Sequence, residues 1–180
     1  MAKKMRSIVW LVLIVGIVGV GFLLSRQREV VGVDQIGVVV SPGGRIAVYR
    51  AGDRPLVLPV IQQYVRLTAK PIRYELTDAK GITVTDAKHQ AITIGCQVRY
   101  QVEDAAKLVA TQGVDEPQDA IEALIHKLLT TQLGAAMQKE NASLDDVQTR
   151  VILVGTIHQA LRQTLAPMGI EVISFDLFSW

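Results

Sequence analysis

The sequence predicts an α+β fold, in which a strand-rich domain follows an N-terminal transmembrane helix. Three observations predict it. Residues Ser7–Leu24 form an apolar run without a charge, residues 92–102 alternate between apolar and polar side chains, and residues 119–138 carry apolar side chains at helical spacing. Predicted strands come first along the chain, helices follow, and one more strand comes last, which is an α+β order.

The apolar run is long enough to cross a bilayer. Its 18 residues span roughly 27 Å as a helix, because a helix rises about 1.5 Å per residue. A cleaved signal peptide is the alternative, but the run exceeds a usual signal-peptide core and no small-residue cleavage site follows it. Three Lys/Arg precede the run and two follow it closely, which favours a cytoplasmic N-terminus and an extracytoplasmic domain. We expect residues 1–28 to form the anchor, joined to the domain by a linker at about Ser25–Gly32.

The distribution of charge excludes one class of partner. The net charge of the chain is +2, but residues 1–28 hold five of the 19 Lys/Arg and no acid. The rest of the chain therefore has 14 Lys/Arg against 17 acids, a net charge of −3. The basic balance belongs to the membrane flank rather than to a nucleic-acid surface, so we expect no nucleic acid partner.

Turn residues divide the first half of the domain into short strands. Ser41–Gly44 is a strong turn between Ile36–Val40 and Ile46–Tyr49, which predicts a hairpin. The next predicted strands are Tyr64–Leu67, Ile72–Leu76, Ile82–Thr85 and the long alternating strand Ile92–Val102. In the long strand the even positions are apolar, so one of its faces is buried.

The second half predicts helices and a last strand. Asp104 caps a short helix that runs to about Thr111, and a second helix covers Asp119–Gln138. Ser143–Asp146 resembles a capping box and begins a long third helix, which Pro167 and Gly169 end. Ile170–Leu177 is then the final strand.

Two apolar features are candidates for contacts between subunits. One is a stripe on the third helix, which consists of Leu144, Val147, Val151, Val154, Leu161, Leu165 and Met168. The other is the apolar C-terminal end. From these we select as oligomer-interface candidates Val151, Val154, His158, Leu161, Phe175, Phe178 and Trp180. The alternative for both features is the core of the domain, and we interpret His158 as a core or interface histidine rather than a metal ligand.

A basic stretch surrounds an apolar loop between residues 45 and 73. Its cations are Arg45, Arg50, Arg54, Arg66, Lys70 and Arg73, against the single acid Asp53. Within it, the segment from Pro55 to Ile61 is apolar, and we expect the side chains of this loop to enter a membrane, namely Leu56, Val57, Leu58, Val60 and Ile61. The six cations would then contact anionic lipid headgroups. The alternative is a buried strand with a solvated basic edge.

Four segments follow the N-terminal membrane segment in a characteristic order, namely Gly37–Val40, Gly52 with Leu56–Gln62, Ala91–Asp104 and Gly169–Val172. In this order they resemble the SPFH superfamily, also called band 7 proteins. This superfamily includes stomatins, prohibitins, flotillins and bacterial proteins that cap a membrane-bound protease.

The resemblance implies a strongly bent, mostly antiparallel sheet covered by helices over residues 29–180. It implies a scaffold in a bacterial inner membrane that packs side by side into rings and organises a membrane patch. The expected partners are the lipid bilayer, further copies of the chain, and a membrane protease or other membrane protein. The resemblance implies no catalytic residue, and we expect no cofactor and no metal site.

Two alternatives and one departure remain. Members of the superfamily usually continue into a long coiled coil, whereas this chain ends at Trp180, as either a minimal member or a truncated one. Without the coiled coil, closed cages are not expected, and lateral rings through the domain remain open. The first alternative function is an accessory subunit that regulates a membrane protease or channel. The second is an enzyme, for which only Cys96 and His126 suggest themselves as reactive side chains.

Overall fold

The computed structural model describes residues 29–58, 61–77, 80–86, 89–138, 144 and 146–179, and these ranges form an α+β fold. The anchor predicted for residues 1–28 lies outside them. In order, the elements are β1 (Gln35–Ser41), β2 (Arg45–Tyr49), β3 (Gln63–Thr68), β4 (Ile72–Leu76), β5 (Ile82–Thr85), β6 (Ala91–Val102), α1 (Ala105–Gln112), α2 (Pro117–Met137), α3 (Val147–Leu165), a 3₁₀ turn (Ala166–Met168) and β7 (Ile170–Ser179). No helix within the described ranges is both long and apolar enough to cross a membrane.

The first sheet has three antiparallel strands in the order β2-β1-β3. The predicted hairpin is confirmed, with Val38 opposite Val48 and Ser41 opposite Arg45. β3 pairs with the other edge of β1 and places Arg66 opposite Gly37. The turn of the hairpin contains two glycines with positive φ, which is the conformation that glycine adopts without strain.

The second sheet has four antiparallel strands built on β6. β4 pairs with residues 96–100 of β6, β7 with residues 95–102 and β5 with residues 91–94. The strands therefore form two sheets, whereas one bent sheet was predicted. The hydrogen-bonded ladder is interrupted between β3 and β4, at Ala69–Pro71. Pro71 has no amide hydrogen to donate to a ladder. The antiparallel pairing itself is as predicted.

The core lies between the second sheet and the helices. The alternation predicted for β6 is confirmed, since its even positions from residue 94 to residue 102 are buried. α2 contributes a buried row at four-residue spacing, formed by Ile121, Ile125, Leu129, Leu133 and Met137. Each burial of a large aliphatic side chain contributes about 2 kcal/mol, so this interface dominates the stability of the domain.

The predicted cap is confirmed for α1, whereas α3 begins later than the predicted capping box, with Asp146 itself as the N-cap. A carboxylate oxygen of Asp104 accepts a hydrogen bond from the Lys107 amide at 3.0 Å, and one of Asp146 accepts from the Thr149 amide at 2.8 Å. These bonds satisfy amides that the first turn leaves unpaired. They also lower the pKa of the two carboxyl groups, through the backbone bond to Lys107 at Asp104 and through the side-chain bond to Thr149 at Asp146.

The buried side of α3 differs from the predicted stripe. Its buried residues are Leu153, Ile157, Leu161 and Leu165, whereas Val147 and Val151 are exposed and Val154 is half-buried. The helix carries two neighbouring apolar rows that both fit helical spacing, so periodicity alone does not select the one that faces the sheet. The core alternative is therefore wrong for Val147 and Val151, whereas the interface hypothesis for Val151 stays a prediction.

Gly169 connects the end of the helical region to the second sheet. Its φ is +79°, and its carbonyl accepts hydrogen bonds from the amides of Glu103 and Asp104, each at 2.9 Å. A Cβ at this position would lie 2.3 Å from the carbonyl oxygen of Asp104. The first turn of α1 and the start of β7 can therefore meet only at a residue without a side chain.

We expect Gly169→Ala to lower the free energy of unfolding by about 3 kcal/mol, because left-handed backbone and overpacking each cost on the order of 1–2 kcal/mol. The measurement is denaturant unfolding of the full chain in mild detergent, followed by circular dichroism. Gly155→Ala is the matched control, since Gly155 lies in α3 with open space around it. That control should gain about 0.5–1 kcal/mol, and an equal loss in both variants would contradict the proposed clash.

Candidate functional site

The first residues of the domain are hydrogen-bonded to the loop between β2 and β3. The Glu29 amide donates to the Pro55 carbonyl at 3.2 Å, the Val31 amide to the Asp53 carbonyl at 3.1 Å, and the Gly52 amide to the Val31 carbonyl at 3.0 Å. The linker predicted at Ser25–Gly32 is thus wrong for Glu29–Gly32, which form part of the domain. The chain enters the domain directly beside the predicted membrane loop.

A small second core supports this pairing. Val31, Val39 and Val57 are buried, although they lie outside the main core. A Cβ on Gly37 would lie 2.8 Å from the Tyr64 hydroxyl oxygen and 2.9 Å from a methyl group of Val31. Residues 29–32 therefore cross the outer face of the first sheet at a position where β1 has no side chain.

The predicted membrane loop divides into residues that face inward and residues that face outward. Leu56 and Ile61 are 44% and 55% exposed, Val57 is only 6% exposed, and Leu58 is half-buried. Val60 lies outside the described residues. The outward side chains are thus available for an external contact, and Val57 is a structural residue.

The end of the loop is held in place by Gln62. The amides of Ile61 and Gln62 both donate to the Leu58 carbonyl, at 3.0 and 2.8 Å. The side-chain oxygen of Gln62 accepts from the Leu58 amide, and its side-chain nitrogen donates to the Ser41 hydroxyl at 3.0 Å. Ile61 is therefore fixed beside the β1–β2 turn.

Three of the six predicted headgroup cations form ion pairs. Arg66 pairs with Glu29, which raises the pKa of the guanidinium, Lys70 pairs with Asp34 at 2.6 Å, and Arg73 pairs with Glu75 at 2.9 Å. The sequence window from Arg45 to Arg73 contains none of these acids. Only Glu75 carried a local signal, because residues two apart on a strand share a face.

The other three cations are Arg45, Arg50 and Arg54. All three are exposed, and in the described part of the chain none forms an ion pair. The Arg50 amide donates to the Asp53 carboxylate at 2.8 Å, which closes the turn at the start of the loop. These three guanidinium groups are therefore solvent-exposed and without a carboxylate partner among the described residues.

The structure separates the predicted oligomer-interface residues into two groups. Leu161 and Phe175 are buried in the core, where they cannot contact another subunit, and Trp180 lies outside the described residues. Val151 and Phe178 are 64% and 45% exposed, and Val154 is half-buried. His158 is half-buried with Nε2 at 3.4 Å from the Val172 carbonyl, so it joins α3 to β7.

Cys96 and His126, the two side chains considered for an enzyme, differ in their exposure: Cys96 is buried and His126 is exposed. Burial raises the pKa of the Cys96 thiol to about 12, so this thiol is protonated at neutral pH. The Nδ1 atom of the exposed His126 lies 3.4 Å from the hydroxyl oxygen of Tyr74. Within the described ranges no group of three His, Cys, Asp or Glu side chains is placed to hold a metal ion.

A comparison with protein-family models tests the resemblance to SPFH proteins that four segments of the sequence suggest. The model described as SPFH domain / Band 7 family matches residues 29–178. The chain belongs to this family. The SPFH segments occupy defined places in the fold: Gly37–Val40 lies in β1, Ala91–Asp104 comprises β6 and the cap of α1, and Gly169–Val172 starts β7. No curated protein matches the chain significantly.

Two neighbouring residues of the loop, the buried Val57 and the exposed Leu56, allow a direct test of the orientation assigned to the loop. We expect Val57→Ser to lower the free energy of unfolding by about 2 kcal/mol, since it removes a buried aliphatic group. Leu56→Ser should change it by less than about 0.5 kcal/mol, as surface substitutions usually do. Denaturant unfolding of both variants is the measurement, and equal effects would contradict the assigned orientation of the loop.

Cys96 should be unreactive in the folded SPFH domain. A pKa of about 12 against about 8.5 for a free thiol lowers the thiolate fraction at pH 8 by a factor on the order of 10³. Alkylation with iodoacetamide, followed by mass spectrometry, should label Cys96 only after denaturation. A cysteine introduced at Leu56 in the same chain should react in the native state, and rapid native labelling of Cys96 itself would refute its burial.

Proposed function

We propose that this SPFH protein is a membrane-anchored scaffold that self-associates laterally into ring-like oligomers and organises a patch of membrane. Membership of a family of membrane-associated scaffolds supports the general role. The proposed partners are the bilayer and further copies of the chain. The proposed location is a bacterial inner membrane, with a single span, a cytoplasmic N-terminus and an extracytoplasmic domain.

One observation carries the membrane part of this proposal, namely the hydrogen bond from the Glu29 amide to the Pro55 carbonyl. Five peptide steps separate Glu29 from Leu24, the last residue of the apolar run. A chain of that length extends at most about 18 Å. If residues 7–24 span the bilayer, Glu29 therefore lies within about that distance of the end of the span. Pro55 is its direct hydrogen-bond partner, and the exposed Leu56 follows Pro55.

Attachment at two points restricts the orientation of the domain. The span fixes one point, and Leu56 with Ile61 provides a second apolar contact beside it. A tethered contact forms at a high effective concentration, so even a weak insertion of two side chains is occupied much of the time. The domain would then lie in a defined orientation on the bilayer, as lateral packing of copies requires.

The exposed end of α3 and β7 supports a self-association surface. These elements are joined by a short turn and pack on each other, so the start of α3 and the end of β7 lie at the same end of the domain. Val151 and Phe178 are both exposed, and the half-buried Val154 packs against the core. In the described ranges β7 pairs only with β6, which leaves its other edge for a neighbouring copy.

Negative-stain electron microscopy and light scattering of the full chain in mild detergent test the proposal. Closed rings of many subunits would support the scaffold. A monomer or dimer that co-purifies with one membrane protease or channel at fixed stoichiometry would instead favour the accessory subunit.

We expect Val151→Asp together with Phe178→Asp to lower the mass of the assembly at least severalfold, because buried charges at a subunit contact are unfavourable. Ile152→Asp is the matched control. Ile152 is as exposed as Val151, at 64%, but points about 100° away around the helix. Light scattering that shows equal disruption by the control would contradict this choice of surface.

A further inference from the structure

We infer that Arg45, Arg50 and Arg54, together with Leu56 and Ile61, form a surface that binds bilayers selectively through anionic phospholipid headgroups. This inference rests on the proposed function, since it names the lipid class that the membrane-facing loop recognises. Its starting point is the division of six neighbouring cations into three that are paired and three that are not.

The paired cations are already neutralised within the domain. Their partners Glu29 and Asp34 lie in the segment that enters the domain, and Glu75 lies on β4. A lipid phosphate would have to displace a carboxylate to bind Arg66, Lys70 or Arg73. Arg45, Arg50 and Arg54 impose no such exchange, because they make no ion pair within the described residues.

The unpaired cations lie at both ends of the exposed apolar loop. Arg54 precedes Pro55 and Leu56 directly, and Arg50 begins the same loop. Arg45 is the register partner of Ser41, whose hydroxyl accepts the hydrogen bond from Gln62 beside Ile61. Exposed aliphatic side chains are thus flanked by charge, which suits acyl chains below a layer of phosphates.

The tether selects a bilayer as the occupant rather than an acidic protein. The entry of the chain at Glu29 is hydrogen-bonded to this loop, so the nearest large anionic surface is the membrane that would hold the apolar run. Each cation near an anionic bilayer contributes a factor of about five to the equilibrium for contact. Three of them give on the order of 100-fold preference for an anionic over a zwitterionic bilayer.

The test uses the full chain in nanodiscs, with a nitrobenzoxadiazole dye on a cysteine introduced by Leu56→Cys. Cys96 is buried and does not compete for the dye. Quenching by spin-labelled lipid reports how often the loop touches the bilayer. Discs of pure phosphatidylcholine are compared with discs that contain about a third phosphatidylglycerol.

We expect stronger quenching in the anionic discs, and its loss in the triple variant R45Q/R50Q/R54Q. The equilibrium for contact should fall by about 100-fold in that variant, to the level seen in zwitterionic discs. The control R99Q/K127Q/R162Q removes the same charge from exposed positions on β6, α2 and α3 and should leave quenching unchanged. Denaturant unfolding of both triple variants verifies that they fold.

Each other outcome overturns a distinct claim. Quenching that is equal in both discs, or equally reduced by both triple variants, refutes the anionic selectivity while contact of the loop with the membrane stands. Absence of quenching in both discs refutes the contact of Leu56 with the membrane, and with it both the proposed orientation of the domain and this inference.

Discussion

The long strand β6 is the constraint on which the rest of the fold depends. It is hydrogen-bonded to β4, β5 and β7, and its even residues supply the floor of the core. A slip of one residue would turn that floor toward solvent. The pairing of β7 with β6 contains two register shifts, at Gly95/Cys96 and Arg99/Tyr100. The even residues of β6 stay buried on both sides of these shifts. The helices, and the contact of Gly169 with the cap of α1, are all positioned by this one register.

The candidate site depends on the second core of the first sheet rather than on its ion pairs. The pairs of Arg66 with Glu29 and of Lys70 with Asp34 are exposed, and such pairs contribute about 0–1 kcal/mol each. Burial of Val31 contributes about 1.5 kcal/mol or more, and its amide and carbonyl are both hydrogen-bonded to the loop. The entry segment is therefore held by packing and backbone bonds, and the ion pairs mainly neutralise cations.

The sequence predicts local structure well and spatial pairing poorly. Alternation predicts β6 and a capping residue predicts Asp104 as a helix start, because both signals are local. The start of α3 is displaced, since the sequence offers both Ser143 and Asp146 as caps and the structure uses Asp146. The buried row of α3 was missed, since two apolar rows compete on that helix. The partners of Arg66 and Lys70 lie more than 30 residues away along the chain, and the inward orientation of Val57 accompanies the backbone pairing of the loop with residues 29–31. No periodicity encodes such pairings.

Those partners change how the charge of this surface acts at a distance. The three ion-pair partners Glu29, Asp34 and Glu75, together with Asp53 of the loop, bring four acids to the six cations, so the local net charge is +2 rather than the +5 of the sequence window. So small an excess is screened within a Debye length of about 8 Å at physiological salt. Attraction on that scale cannot recruit the domain from solution. It acts only after a tether of at most about 18 Å has brought the loop close to the bilayer. The anchor therefore determines whether the loop reaches the bilayer, and the unpaired arginines determine which lipid headgroups it contacts there.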